Sequence, residues 1–325
     1  MNTKTVSIHI VTYNSGDDII ECLTAVLAQD YPLEQIVVID NASTDGCSEK
    51  VNNFNNSFNK SPDGPNLLFI QNYLNTGFAP AHNQAMASNS TDYILVLNPD
   101  LTLAPDYVSR LVARMEANPL IGSATGKLLL KADHQVVDST GLRMNRARRA
   151  FDRGAGEPSS NWQVSGPVFG VSGAAAMYSR RMIEDISVEG EFFDGDFFAY
   201  KEDVDVAWRA QLLGWQGFYD ADAIGYHERG WKVSGRESKP MFIRQISYIN
   251  RYKMMYKNEQ KGTLLKTFVM SLPYEIAANG YMLLKERELF KAWKSFFAQL
   301  SELKKKRKYI QARAARQRID KIGHI

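Results

Sequence analysis

Cysteine is scarce: Cys22 and Cys47 are the only two in 325 residues. That leaves no basis for a disulfide framework or a multi-cysteine zinc site, and it suits a reducing compartment. No signal-peptide pattern opens the chain. Met1-Asn2-Thr3-Lys4-Thr5 runs straight into the strand-like Val6-Ser7-Ile8-His9-Ile10-Val11, with no long apolar run and no small-residue cleavage site. A clean membrane span is also missing. The most apolar stretch, Leu264 to Leu284, is interrupted by Lys266, Pro273, Glu275 and Asn279, which disfavours a free-standing helix in lipid. The turn Thr12-Tyr13-Asn14-Ser15-Gly16-Asp17 lacks the G-x-G-x-x-G that lets a backbone approach a dinucleotide pyrophosphate. This argues against a nicotinamide-dependent oxidoreductase. No internal repeat is visible.

What remains is globular in character. Hydrophobic residues make up 44% and charged residues 23%, and the length predicts about two domains. The net charge of +3 is unevenly placed. Residues 285–325 hold 13 Lys/Arg against 4 Asp/Glu, while the first 284 hold 26 against 32. An acidic body with a basic tail predicts that the tail meets an anionic surface. Nucleic acid is a poor candidate for that surface. The basic cluster Arg143 to Arg149 and the tail belong to no recognisable nucleic-acid-reading module, and the body is acidic.

The first hundred residues alternate strand and helix signals. Strands are predicted over Val6–Thr12, Gln35–Asp40, Leu67–Gln71 and Tyr93–Leu97. Helices are predicted over Asp17–Gln29, Ala79–Ser88 and Pro105–Ala117. Asn52 to Asn66 reads as a polar segment rich in Asn and Ser. This order implies an α/β fold with a parallel sheet and helices on its faces, where ligands gather beyond the carboxyl ends of the strands. Gly122 to Gly190 reads as strands and loops. Glu202 to Leu213 reads as a helix, Trp215 to Tyr226 as a strand, and everything after about residue 240 as helical.

Polar clusters stand at four points: Thr12-Tyr13-Asn14, Asp40-Asn41-Ala42-Ser43-Thr44-Asp45-Gly46, Asn98-Pro99-Asp100, and Glu202-Asp203-Val204-Asp205 followed later by His227. Alone, each could be a turn or a helix cap. In this order, and with Asn75-Thr76-Gly77-Phe78-Ala79 and Asn83 between them, they resemble the inverting glycosyltransferases of family 2. The segment Phe198-Ala199-Tyr200-Lys201-Glu202-Asp203 is similar to the family's catalytic-base segment. Within the family the chain looks most like bacterial rhamnosyltransferases of surface-polysaccharide (O-antigen type) assembly. The resemblance runs from about Val6 to Trp231.

That resemblance implies a GT-A fold: a Rossmann-like, mostly parallel sheet flanked by helices, here with a C-terminal helical extension. It implies a catalytic domain over 1–240, with a nucleotide-binding half near 1–120 and an acceptor half near 121–240. A helical basic region over 241–325 would serve membrane association or oligomerisation. The donor would be a nucleotide sugar, with dTDP-L-rhamnose first and UDP-galactofuranose or UDP-GlcNAc as alternatives. The acceptor would be a saccharide on a polyprenyl diphosphate, which places the enzyme in the cytoplasm, peripheral to the inner face of the plasma membrane, with a homodimer as a further option. Donor contacts are expected from Thr12, Tyr13, Asn14, Asp40, Asn41, Ser43, Asp45, Gly77, Asn83, Asn98 and Asp100.

The chemistry can be stated in residues. Tyr13 can offer a ring face to a base, and Asp40 can accept from a pyrimidine imide. The diphosphate leaving group gains charge during transfer, so a divalent cation, Mg²⁺ or Mn²⁺ on oxygen ligands, would act as a Lewis acid. Asp100 is the candidate ligand. Asn98 replaces the first Asp of the usual motif, and His227 resembles the histidine that completes the metal site in some members. The acceptor hydroxyl needs a base. Asp203 at a predicted helix start is the choice, where the helix dipole favours its ionised form; Glu202 and Asp205 are alternatives. Glu202, Asp205 and Trp231 are expected on the acceptor side. The tail face Leu289, Trp293, Phe296 and Leu300, together with Lys304 to Lys308, Arg313, Arg316 and Arg318, is expected at a membrane surface.

Overall fold

The computed structural model describes residues 3–58, 64–228 and 240–322. Trp231 lies outside the described residues. The first half alternates: β1 (Val6–Thr12), α1 (Ile19–Leu27), β2 (Gln35–Asp40), α2 (Cys47–Phe58), β3 (Asn66–Gln71), α3 (Phe78–Met86), β4 (Tyr93–Leu97), β5 (Leu101–Leu103) and α4 (Tyr107–Ala117). The second half adds β6 (Ile121–Leu130), β7 (Asp133–Ser139), β8 (Leu142–Met144), β9 (Ala150–Asp152), β10 (Gly166–Val168), β11 (Ala175–Ser179), α5 (Arg180–Ile186), α6 (Glu202–Leu212) and β12 (Gln216–His227). Four helices follow: α7 (Met241–Asn258), α8 (Lys261–Lys285), α9 (Trp293–Ala298) and α10 (Leu300–Ile322).

One large sheet runs β10-β12-β6-β11-β4-β1-β2-β3. The strands β3, β2, β1 and β4 are parallel neighbours, and β11 pairs antiparallel with both β4 and β6. The interior strands β2 and β4 are buried over nearly their whole length, which is why they read as unbroken apolar runs. The order reverses at β1, between β2 and β4, and the cleft described below lies beyond the carboxyl ends of these strands.

Two features differ from the sequence reading. The polar segment read without an element holds the second half of α2, whose buried residues among those described are Cys47 and Val51, with Phe54 partly buried. Its few apolar residues lie on one face, but Asn and Ser, which favour turns, fill much of the rest. The larger correction concerns the tail. Leu289, Trp293, Phe296 and Leu300 do not face outward. They pack with Tyr248, Ile249, Tyr252 and Tyr256 of α7 and form a core of their own. Lys306 is buried and pairs with Asp194 at 2.6 Å and Asp196 at 2.8 Å, and Arg313 pairs with Asp185. The amphipathic pattern predicted at a membrane belongs to an internal helix–helix interface. Contacts also tie α7 to the sheet half: Met254 sits in one cluster with Leu142, Phe197, Val204 and Trp208.

Candidate active site

A cleft of about 890 Å³ opens beyond β1 and β4. Four loops bring their polar residues to it. The carboxyl end of β1 supplies Tyr13, the end of β2 supplies Asn41, the end of β4 supplies Asn98 and Asp100, and the start of α6 supplies Glu202 and Asp203. His227 arrives from far along the chain because β12 pairs antiparallel with β5, His227 opposite Leu101. The Glu228 N–H also donates to the Asp100 carbonyl at 2.8 Å.

This pairing builds a three-membered line. His227 Nε2 lies 3.2 Å from Asp100 Oδ1, and His227 Nδ1 lies 2.8 Å from Asp138 Oδ2. Burial opposes a charged ring, yet the two carboxylates outweigh it and raise His227 to about 9. Asp100 Oδ1 is buried, with the His227 ring as its polar neighbour. Asp138 was not singled out in the sequence. It sits in β7 where the register against β6 slips, and no local pattern marks it. Among the described residues no group of three or more His, Cys, Asp or Glu could hold a metal alone. An imidazole steadied by one carboxylate, beside a second carboxylate at the cleft wall, nonetheless fits a divalent cation that takes its other ligands from phosphate and water.

On the opposite wall, Asp203 accepts from the Val204 N–H at 2.7 Å and the Gly173 N–H at 3.2 Å. Burial pushes its carboxyl up, against the pull of Lys201 and those two N–H groups. Glu202 beside it is raised to about 8 by burial and by the Asp203 charge, and its Oε2 has no partner. Both carboxyls are held above their usual range by burial, and the Gly173 and Val204 N–H groups favour the ionised form of Asp203. The loop before α6 is strained. Phe198, Tyr200 and Lys201 all hold positive φ, at 59°, 68° and 76°, in a region costly for side-chain-bearing residues. Asn250 of α7 holds this loop by donating to the carbonyls of Phe197, Ala199 and Tyr200 at 2.8 to 3.0 Å. Gly77 lies against the same loop at φ 92°, where a Cβ would meet the Phe198 carbonyl oxygen at 2.5 Å.

Several expected site residues take other places. Asp40 is fully buried and accepts from the hydroxyls of Thr12, Ser43 and Ser48 and from the Ser43 N–H. In this geometry it braces the loop after β2 and does not reach the cleft, and the same holds for its donors Thr12 and Ser43. Asn14 accepts from the Thr44 N–H, and Asp45 accepts from the N–H groups of Gly16 and Cys47. Asn83 exchanges two hydrogen bonds with the Phe193 backbone. Asp205 is wholly buried, bonded to Arg209 at 2.9 Å and Asn258 at 2.7 Å, with Lys257 at 3.0 Å. It is a structural carboxylate and not an acceptor contact. The cleft instead gains Arg143, Phe151, Asp152 and Lys201 from the middle of the chain and the α6 loop.

The sequence pattern of the family described as "Glycosyl transferase family 2" matches residues 7–187. The chain belongs to glycosyl transferase family 2. Curated relatives that it resembles are poly-beta-1,6-N-acetyl-D-glucosamine synthases. The Staphylococcus epidermidis protein is 22% identical over 219 residues, covering 67% of this chain and 48% of the relative. A Staphylococcus aureus protein (strain MSSA476) is 24% identical over 215 residues, covering 66% and 48%. The chain thus spans about half the length of the curated relatives it matches. Among solved structures, S. aureus TarS 1-349 in complex with UDP-GlcNAc superposes with a TM-score of 0.60 at 16% identity, covering 96% of this chain and 89% of that one. The mannosyltransferase PcManGT from Pyrobaculum calidifontis, in complex with GDP-Man and Mn²⁺, superposes at 0.56 with 19% identity, covering 98% and 86%. These likenesses establish the fold as the GT-A fold of this family, with the C-terminal helices added.

Proposed function

We propose that this chain is an inverting glycosyltransferase that moves a sugar from a pyrimidine nucleoside-diphosphate donor to a hydroxyl of a lipid-linked saccharide. The observation that carries the reading is one cleft holding Asp203 on one wall and the Asp100–His227 pair on the other. The half-exposed Tyr13 offers a ring face to the base. Asp100 and His227 would hold Mg²⁺ or Mn²⁺, which when bound supplies Lewis-acid stabilisation of the departing diphosphate. Asp203 takes the proton from the acceptor hydroxyl while that oxygen bonds to the anomeric carbon and the bond from that carbon to the diphosphate breaks. The nucleoside diphosphate leaves with the bonding pair. The Gly173 and Val204 N–H groups orient the Asp203 carboxylate for this task.

Two donors have specific support. The motif resemblance, Asn98-Pro99-Asp100 included, favours dTDP-L-rhamnose. The relatives, a poly-N-acetylglucosamine synthase and a UDP-GlcNAc-bound structure, favour UDP-GlcNAc. Both carry a pyrimidine. A turnover screen of nucleotide sugars with Mn²⁺ or Mg²⁺ decides between them, and absence of turnover with every donor and acceptor would sink the transferase reading.

Residues 1–120 are proposed to hold the donor, 121–240 to position the acceptor, and 241–325 to bring the protein to an anionic membrane from the cytoplasmic side. Among the described residues no helix is long and apolar enough to cross a membrane. The membrane-facing element is proposed to be α8, whose polarity is inverted. Its polar residues Thr267, Ser271, Glu275 and Asn279, four apart, turn toward the protein. Glu275 bonds Tyr252, and Asn279 bonds Tyr248. Its apolar residues Leu265, Phe268, Leu272 and Ile276 face outward, Leu265 at 74% exposure. Such a face on a helix with few charges suits an interfacial position.

A further inference from the structure

A second cavity, of about 540 Å³, adjoins the cleft and shares Ala150, Tyr200, Lys201, Ile243 and Ser247 with it. Its other walls are Arg149 and the helices α7 and α8. Four cations line it: Arg149, Lys201, Arg244 and Arg251. Arg149 and Lys201 form no salt bridge among the described residues; Arg149 lies over the rings of Phe151 and Tyr274 instead, 4.8 and 4.4 Å from their centroids. Arg244 pairs with Glu286 and Arg251 with Glu275, each at 2.6 Å.

We propose that this cavity binds the diphosphate of the lipid-linked acceptor. The idea rests on the lipid-linked reading above and adds where the head group sits. Arg149 and Lys201, the two cations without a salt bridge among the described residues, match a diphosphate in charge, and Arg244 and Arg251 add to the positive wall. From there the first sugar reaches through the shared opening to Asp203. The chain that follows the diphosphate passes Tyr281, half exposed on α8, toward that helix's outward apolar face.

The test titrates geranyl diphosphate into the full chain by calorimetry, with the cleft saturated by the nucleoside diphosphate it binds best. Binding should persist under that saturation. Losing a charge-assisted contact in Arg149→Gln should weaken it about tenfold or more, with melting temperature and nucleotide affinity unchanged. Arg149→Lys, which keeps the charge, should retain most of the affinity. Inorganic diphosphate should bind at least about tenfold more weakly than geranyl diphosphate, since it lacks an apolar chain. Competition by the nucleotide, an unaffected Arg149→Gln variant, or equal affinity for inorganic diphosphate each overturns the proposal. Failure of the transferase reading is separable. A chain that turns over no nucleotide sugar but binds geranyl diphosphate through Arg149 keeps the cavity and loses the reaction. A chain that glycosylates a lipid-free saccharide but ignores geranyl diphosphate loses the cavity alone.

Discussion

His227 stands between two carboxylates, 3.2 Å from Asp100 on one ring nitrogen and 2.8 Å from Asp138 on the other. The inner bond fixes which nitrogen faces the cleft. Asp138 is buried at that position, so its contribution to a cation would pass through the ring.

Asp138→Asn should therefore lower Mn²⁺ affinity by about 10–100-fold, the usual effect of losing an outer partner of a ligating imidazole. Metal-free nucleotide binding should not change. Calorimetric titration of Mn²⁺ into both proteins measures this, and equal affinities would remove Asp138 from the site.

Binding of the cation should also release a proton. The ring is held up to about 9 by its two carboxylates, after burial has pulled the other way, and a metal needs it neutral. Apparent Mn²⁺ affinity should rise by about tenfold per pH unit and level off above that value. Without metal the sign for stability is opposite. The ring's contribution is full below its ordinary value near 6.5 and is lost as pH rises through about 9. Titrations in buffers of different ionisation enthalpy count the proton, and affinity that ignores pH would exclude His227 as a ligand.

Asp203 and Asp205 differ by two positions and should fail in different ways. Asp203→Asn should cut transfer by about 10²–10⁴-fold with the fold intact. Asp205→Asn leaves Lys257 and Arg209 poorly compensated in a dry network, and should cost about 3–5 kcal/mol of stability. Thermal melts and turnover on both variants separate them. If Asp203→Asn keeps more than about a tenth of wild-type turnover, against the loss expected of a general base, Glu202 takes its place as the candidate.

Much of this was legible in the chain. The runs Gln35–Asp40 and Tyr93–Leu97 are buried on both faces, and so they read as strands. The strand-end clusters led to the cleft through Tyr13, Asn98, Asp100, Asp203 and His227. Burial was not legible. Asp40 and Asp203 both follow the pattern of a site carboxylate, but one is enclosed by Thr12, Ser43 and Ser48 while the other meets the cleft. Asp138, Arg149 and Arg251 carry no motif, since they meet their partners only through the fold. The tail misled because an apolar helical stripe looks the same whether it meets lipid or the tyrosines of α7. The outward face of α8 was hidden by Glu275 and Asn279, polar residues that point inward.

That inversion gives the last prediction. An apolar side chain of this size gains about 1.5–3 kcal/mol when fully buried. The outward row Leu265, Phe268 and Ile276 of α8 can bury together in a bilayer surface. Exposed Lys304, Lys305 and Lys308 of α10 can add about 1 kcal/mol each near anionic headgroups. The full chain should float with anionic vesicles at low salt, release in part at high salt, and bind neutral vesicles less. L265E/F268E/I276E should abolish most flotation at either salt, whereas K304E/K305E/K308E should remove chiefly the salt-sensitive part. Equal flotation of L265E/F268E/I276E and the parent would discard α8 as the membrane face. A fall from dimer to monomer in that variant, with no vesicle binding by the parent, would assign the face to a second copy of the chain.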